Sequence, residues 1–151
     1  MIDNIIYYTD GACSSNAKSK DIPSPGAYAV IGLRNNEKFI VHDHFEASTT
    51  SNRMELSAVL WVIENSYIEN MLVLSDSQYV VNGFNVWLPN WKKKNWKTAH
   101  GKEVLNQDLW RSLDLVSIGK FFTLKWIRGH NNNFYNEEVD RLAKNKITNC
   151  R

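Results

Sequence analysis

The chain has 151 residues, 43% hydrophobic and 23% charged, with 18 Lys plus Arg against 16 Asp plus Glu for a net charge of +2. That length suits one domain, and the composition is that of a globular protein able to bury a core, not of a disordered chain. No stretch approaches the ~18 consecutive apolar residues of a membrane span, and Asp3 interrupts the N-terminus before a signal-peptide core could form. Cys13 and Cys150 follow no zinc-ligand or disulfide-scaffold spacing, so a cytoplasmic protein is expected.

Residues 5–8 form a β-branched and aromatic run that ends in Thr9-Asp10-Gly11, which predicts a strand followed by a turn. Residues 26–33 and 38–45 predict two more strands around an Arg34-Asn35-Asn36-Glu37 hairpin loop, the second polar enough for a half-exposed edge. The period then changes. Residues 52–64, rich in Met, Leu, Ala, Val and Trp, predict a largely buried helix. Residues 71–74 predict a buried strand ending at Ser75-Asp76, and residues 77–87 a helix that Pro89 interrupts. Leu105, Leu109, Trp110 and Leu113 keep a helical spacing, residues 121–128 read as a fifth strand, and residues 136–147 as a closing helix. The order βββαβααβα implies an α/β fold: a five-stranded mixed sheet flanked by helices, antiparallel at its start and parallel after the first helix. With no internal repeat, low-complexity tract or long linker, residues 1–151 read as a single domain.

Asp10 and Asp76 each end an apolar strand before a turn or helix, where ligands of α/β sheets gather. If those strands are neighbours, the carboxylates come close enough to repel, and one pKa rises unless a cation lies between them. Singly, each also fits an ordinary turn or N-cap aspartate. Asn52-x-x-Glu55 fits a capping box with Glu55 at the third helical position. Yet Glu55 shares a helix face with Val59, Val62 and Ile63, which aims its carboxylate at the sheet edge. Asp140 lies likewise on one face with Ala143 and Ile147. Two core-side helical carboxylates beside two at strand ends outline an all-oxygen magnesium site.

Two further groups carry charge or ligating nitrogen. Trp87, Trp91, Trp96 and Trp110 are interleaved with Lys92, Lys93, Lys94, Lys97 and Lys102. Such a segment binds phosphates through lysines and bases or sugars through aromatic faces, or else it is a solvated loop over a small aromatic core. His42 and His44 alternate on one strand face with no third ligand nearby and read as exposed strand residues.

Thr9-Asp10-Gly11-Ala12-Cys13, Thr49-Thr50-Ser51-Asn52-Arg53-Met54-Glu55-Leu56, Ser75-Asp76-Ser77-Gln78-Tyr79-Val80 and Gly129-His130, followed by Asn136-Glu137 and Asp140-x-Leu142-Ala143, resemble type 1 ribonuclease H of the bacterial kind. Trp91-Lys92-Lys93-Lys94-Asn95-Trp96-Lys97-Thr98-Ala99 resembles that family's basic protrusion, set here at about 87–103. The blocks keep the family's order across nearly the whole chain. The resemblance implies the ribonuclease H-like fold and hydrolysis of the RNA strand of an RNA–DNA hybrid, leaving a 3′-hydroxyl and a 5′-phosphate. It implies that Asp10, Glu55, Asp76 and Asp140 hold two Mg²⁺ ions, with Mn²⁺ as a substitute, and that His130 moves protons or releases product. Two metals ~3.5–4 Å apart can activate water and steady the leaving oxygen, so Ser75 and Ser77 need no catalytic role.

For the substrate, the resemblance places Cys13, Asn16, Ser51, Asn52 and Gln78 along the hybrid's minor groove, where a 2′-hydroxyl marks RNA. It sets Trp87, Trp91, Lys92, Lys93, Lys94 and Trp96 against the DNA strand. The chain departs from the family in a longer, more charged 17–24 loop, in Ser51 where asparagine is common, and in the Asn131-Asn132-Asn133-Phe134-Tyr135 loop filling. None of these removes a carboxylate. The hybrid duplex is the expected partner, with no membrane and a monomeric protein. Two alternatives stay open: a non-catalytic hybrid-binding module, and another nuclease on the same scaffold.

Overall fold

The computed structural model describes residues 3–14, 23–66, 70–129 and 133–150. Its strands are β1 (Ile5–Cys13), β2 (Ser24–Arg34), β3 (Glu37–Thr49), β4 (Met71–Ser75) and β5 (Phe122–Trp126). Its helices are α1 (Ser51–Asn65), α2 (Gln78–Asn82), α3 (Leu88–Lys93), α4 (Gln107–Ser117) and α5 (Phe134–Cys150), with a π-helical turn, Gly83–Trp87, between α2 and α3. The five strands form one mixed sheet in the order β3-β2-β1-β4-β5. β1, β2 and β3 are antiparallel, and β4 and β5 add in parallel beside β1. The α/β architecture and the element order expected from the sequence are therefore present, with the helical run after β4 continued by α3.

Burial explains why the helices lie where they do. β2 is buried along nearly all its length, because α1 covers one sheet face and α5 the other. One core joins Val59, Leu56 and Ile63 of α1 to Val73, Val80, Trp110 and Leu113; a second sets Val139 and Ala143 of α5 on Ala29, Ile31 and Leu33. Each valine, leucine or isoleucine among them contributes roughly 1.5–3 kcal/mol when removed from water. β3, with α5 touching only part of it, keeps the alternating exposure of an edge strand.

Several local expectations change. No turn follows Thr9: β1 continues through Asp10 to Cys13, because β2 goes on pairing as far as Cys13↔Gly26. The hairpin closes on two residues, not four, since Arg34 and Glu37 still pair while Asn35 and Asn36 take the left-handed φ values (52° and 69°) of a tight turn. The cap of α1 is Thr50, whose side chain accepts from Arg53 N at 3.2 Å, so no Asn52–Glu55 capping box forms. Pro89 does not end the helical run. The π turn bonds the Leu88 amide to Gly83 O, five residues back, and places Pro89 in the first turn of α3, where its missing N–H is not needed. Lys92 and Lys93 consequently end a helix instead of lying in a loop. Leu105 lies outside α4 and is exposed.

Candidate active site

The parallel pairing of β1 with β4 brings two acids together. Thr9↔Ser75 is the last rung, so Asp10 and Asp76, each one residue further on, emerge side by side at one sheet end. α1 supplies the third acid. A Cβ on Gly11 would lie 2.3 Å from Glu55 N and 2.4 Å from the Met54 carbonyl carbon, so only glycine lets the first turns of α1 rest on β1. The Gly11 amide then donates to Asp10 Oδ1 at 3.0 Å and to Glu55 Oε1. One carboxylate oxygen from each of Asp10, Glu55 and Asp76 lies within 4.8 Å of the others. Asp140, half-buried on α5, stands at the edge of this group, near enough to Asp10 to add to the upward push on its carboxyl, and pairs with Lys144 Nζ at 3.0 Å.

The electrostatics are unfavourable without a cation. Asp10 is 4% exposed and Glu55 8% exposed. Burial pushes the Asp10 carboxyl far above the usual carboxylate range, and the charges of Glu55 and Asp76 push it further. Burial raises Glu55 as well, with Asp76 adding and the bonds from Asp10 and Gly11 opposing. Asp10 Oδ2 is buried with no hydrogen-bond partner among the described residues. An orphaned carboxylate oxygen facing further acids is what a hard divalent cation relieves, and the all-oxygen donor set fits one.

These acids open on a cleft of about 480 Å³ whose walls include Ser51, Asn52 and Gln78, three of the residues expected to meet substrate. Cys13 lies further along β1, half-buried, with Sγ 4.0 Å from Ser24 O. Asn16 and His130 lie outside the described residues. In the protrusion, Trp87 and Trp91 sit 6.0 Å apart and, with Lys94 and Lys97, border an apolar slot of about 160 Å³. Lys92, Lys93 and Lys94 are all exposed, and Lys92 pairs with Asp114 at 3.1 Å. Trp96 corrects the expectation for that segment. Only 8% exposed, it packs into the core under the Arg111 guanidinium, 4.7 Å from its ring, and presents no face to a ligand.

Three residues at this site were not singled out from the sequence. Tyr79 and Trp126 wall the cleft. The Tyr79 hydroxyl accepts from Asn106 Nδ2 and Trp110 Nε1, both at 3.0 Å, tying the cleft wall to the start of α4. Arg53 makes a two-pronged pair with Asp108 (3.0 and 2.8 Å), locking α1 to α4 and holding the Asp108 carboxyl below its usual range. Only the position of Tyr79 right after Gln78 could have hinted at this wall. His42 stacks on Trp61 at 4.0 Å and His44 bonds Glu46 at 2.7 Å, so neither histidine is poised as a ligand.

The RNase H family model matches residues 3–148. The ribonuclease H of Thiobacillus denitrificans (strain ATCC 25259 / T1) is 40% identical over 156 residues, spanning 100% of this chain and 99% of the relative. Among solved structures, LC9-RNase H1, a type 1 RNase H with the type 2 active-site motif, superposes with a TM-score of 0.77 at 23% identity, covering 100% of this chain and 75% of that one. LC11-RNase H1, solved in complex with an RNA/DNA hybrid, gives a TM-score of 0.69 at 16% identity over 97% of this chain and 98% of that one. At such identities the structural likeness carries the fold alone. The family model and the full-length relative carry more, and by both the chain belongs to the ribonuclease H family of enzymes.

Proposed function

We propose that this chain hydrolyses the RNA strand of RNA–DNA hybrids, with Asp10, Glu55, Asp76 and Asp140 holding two Mg²⁺ ions, or Mn²⁺ in their place. The observation that carries this reading is the buried acid group with its orphaned Asp10 oxygen, set at the floor of an open cleft. When bound, the ions supply the Lewis acidity that phosphodiester hydrolysis needs, with 3′-hydroxyl and 5′-phosphate ends as the products. The chain's own residues do the rest. Gly11 holds the Glu55 carboxylate by its amide, and the closure of α1 on β1 keeps bulk water from one side of the acids. Ser51, Asn52 and Gln78, together with Cys13 and Asn16, offer small polar groups to a minor groove carrying 2′-hydroxyls. Trp87, Trp91, Lys93 and Lys94 offer aromatic faces and cations to the DNA strand, and His130 assists proton movement or product release. The hybrid bound by LC11-RNase H1 is the natural substrate class to test.

A pure binding module is disfavoured on energetic grounds, because burying mutually repelling acids destabilises a fold that has no use for a cation there. We further propose a single-domain monomer acting in the cytoplasm; no helix among the described residues is long and apolar enough to cross a membrane. The test is a panel of uniformly labelled RNA–DNA, DNA–DNA and RNA–RNA duplexes incubated with Mg²⁺. Cutting confined to the RNA strand of the hybrid is the expected outcome. Binding without cutting, or cutting of DNA–DNA duplexes, refutes the reading.

A further inference from the structure

Asp76 is reached from the far side of the cleft by the corner between β5 and α5. The Trp126 indole N–H donates to the Asp76 main-chain carbonyl at 3.1 Å. Ile127 N donates to Ser75 O at 2.9 Å, so the residues on either side of this contact are held too. Ser77 N donates to Ser75 Oγ at 3.1 Å, and Ser77 then caps α2. Asp76 is thus a one-residue link between a strand end and a helix cap, and Trp126 is the group that bonds its own peptide. A carbonyl at the lip of an open cleft has water to bond. An indole placed there fixes the direction of the peptide, and with it the carboxylate, which water cannot do.

Two features separate this from ordinary packing. Trp126 is 39% exposed and walls the cleft, unlike Trp110, which is fully buried in the core, so its ring does little for the fold. Gly129 comes from the same corner and lies flat against the acid itself. A Cβ there would stand 2.9 Å from Asp76 Oδ2 and 3.5 Å from Asp76 Cβ. The close atom is the tip of a side chain and not backbone, so a methyl group would turn the carboxylate while leaving the fold intact.

We propose that Trp126 and Gly129 are positioning residues for Asp76: the indole anchors its peptide and the bare glycine leaves its carboxylate room to face Asp10 and Glu55. This rests on the reading of the acids as a cation site, and the test separates the two. Mg²⁺ alone is titrated calorimetrically into the full chain without substrate, for wild type, Trp126→Phe and Gly129→Ala. Melting temperatures are taken in chelator, and kcat and KM on a hybrid. Trp126→Phe keeps the ring and deletes the donor. Loss of one hydrogen bond to the ligand's own peptide is expected to weaken Mg²⁺ binding about three- to tenfold. Gly129→Ala is expected to weaken it by a similar factor, with kcat falling in both variants, KM within about twofold of wild type, and melting temperatures within about 4 °C. Wild-type Mg²⁺ affinity in both variants, or a loss accompanied in both by a large drop in melting temperature, would overturn the positioning role. No Mg²⁺ binding by the wild type at millimolar concentration would overturn the cation reading itself, and the positioning role with it.

Discussion

Replacing Asp10 by Asn should stabilise the metal-free protein while abolishing its activity. The side chain is buried, its Oδ2 lacks a partner among the described residues, and Glu55 and Asp76 crowd it with negative charge. An isosteric amide stays neutral without having to take up a proton and puts a donor among acceptors. Relieving one unsatisfied buried group is worth about 1–3 kcal/mol, which at ~2–4 °C per kcal/mol for a chain of this size raises the melting temperature by several degrees in chelator. Mg²⁺ should reverse the order: a ligand at about a hundred times its Kd adds ~2.7 kcal/mol to the wild type, and the variant, short of a ligand, gains less. The pH dependence has a definite sign. Asp10 and Glu55 both have raised folded-state pKa values, so the native state binds more protons than the unfolded chain. As regards these groups, metal-free wild type should therefore hold its full stability at or below about pH 4 and lose it as pH rises toward their folded pKa values; the loss should be shallower in Asp10→Asn. Melts across pH in chelator and in Mg²⁺ test this. A variant less stable than wild type in chelator, or equal Mg²⁺ stabilisation of both, would refute the argument.

Other outcomes follow from the same geometry. His130→Ala should keep weak activity, losing at most the ~10²–10⁴-fold typical of acid–base assistance; wild-type single-turnover and steady-state rates would remove the histidine from the reaction. Replacing Lys92, Lys93 and Lys94 together by Ala should make the log K against log salt slope shallower by about 0.9 per lost phosphate contact, roughly two units given that Lys92 is paired with Asp114, and raise KM with kcat little changed. An unchanged slope would leave the run as a solvated face. Trp96→Ala should cost about 3–5 kcal/mol of stability, as buried tryptophans do, whereas Trp87→Ala at 38% exposure should weaken hybrid binding with little change in melting temperature.

Much of the site could be read without coordinates, for identifiable reasons. Asp10 and Asp76 end apolar runs, so placing the runs side by side was enough to make the acids meet. Glu55 was legible from its apolar face alone. What escaped was non-local. β1 outlasts its pairing with β4 because β2 keeps it company to Gly26, which no local propensity encodes. Pro89 looks like a stop until the widened turn before it moves it into a helix start. Trp96 and Trp87 look alike in a Lys- and Trp-rich segment, and only Arg111 from α4 closes over one of them. Thr50 and Asn52 are both good caps, and the choice fell on the one that left the Glu55 carboxylate to Gly11. The Arg53–Asp108 pair spans 55 residues and had no signature at all.

The central claim is that a buried acid group holding divalent ions cuts RNA within a hybrid. Its most direct test sets wild type and Asp10→Asn side by side on one RNA–DNA hybrid with the RNA strand labelled, in Mg²⁺ and in chelator, scoring both binding and product ends. The prediction is cleavage by wild type in Mg²⁺ only, giving 3′-hydroxyl and 5′-phosphate ends, with Asp10→Asn binding the hybrid but leaving it whole. Cleavage by wild type in chelator, or by Asp10→Asn at saturating Mg²⁺, would contradict it.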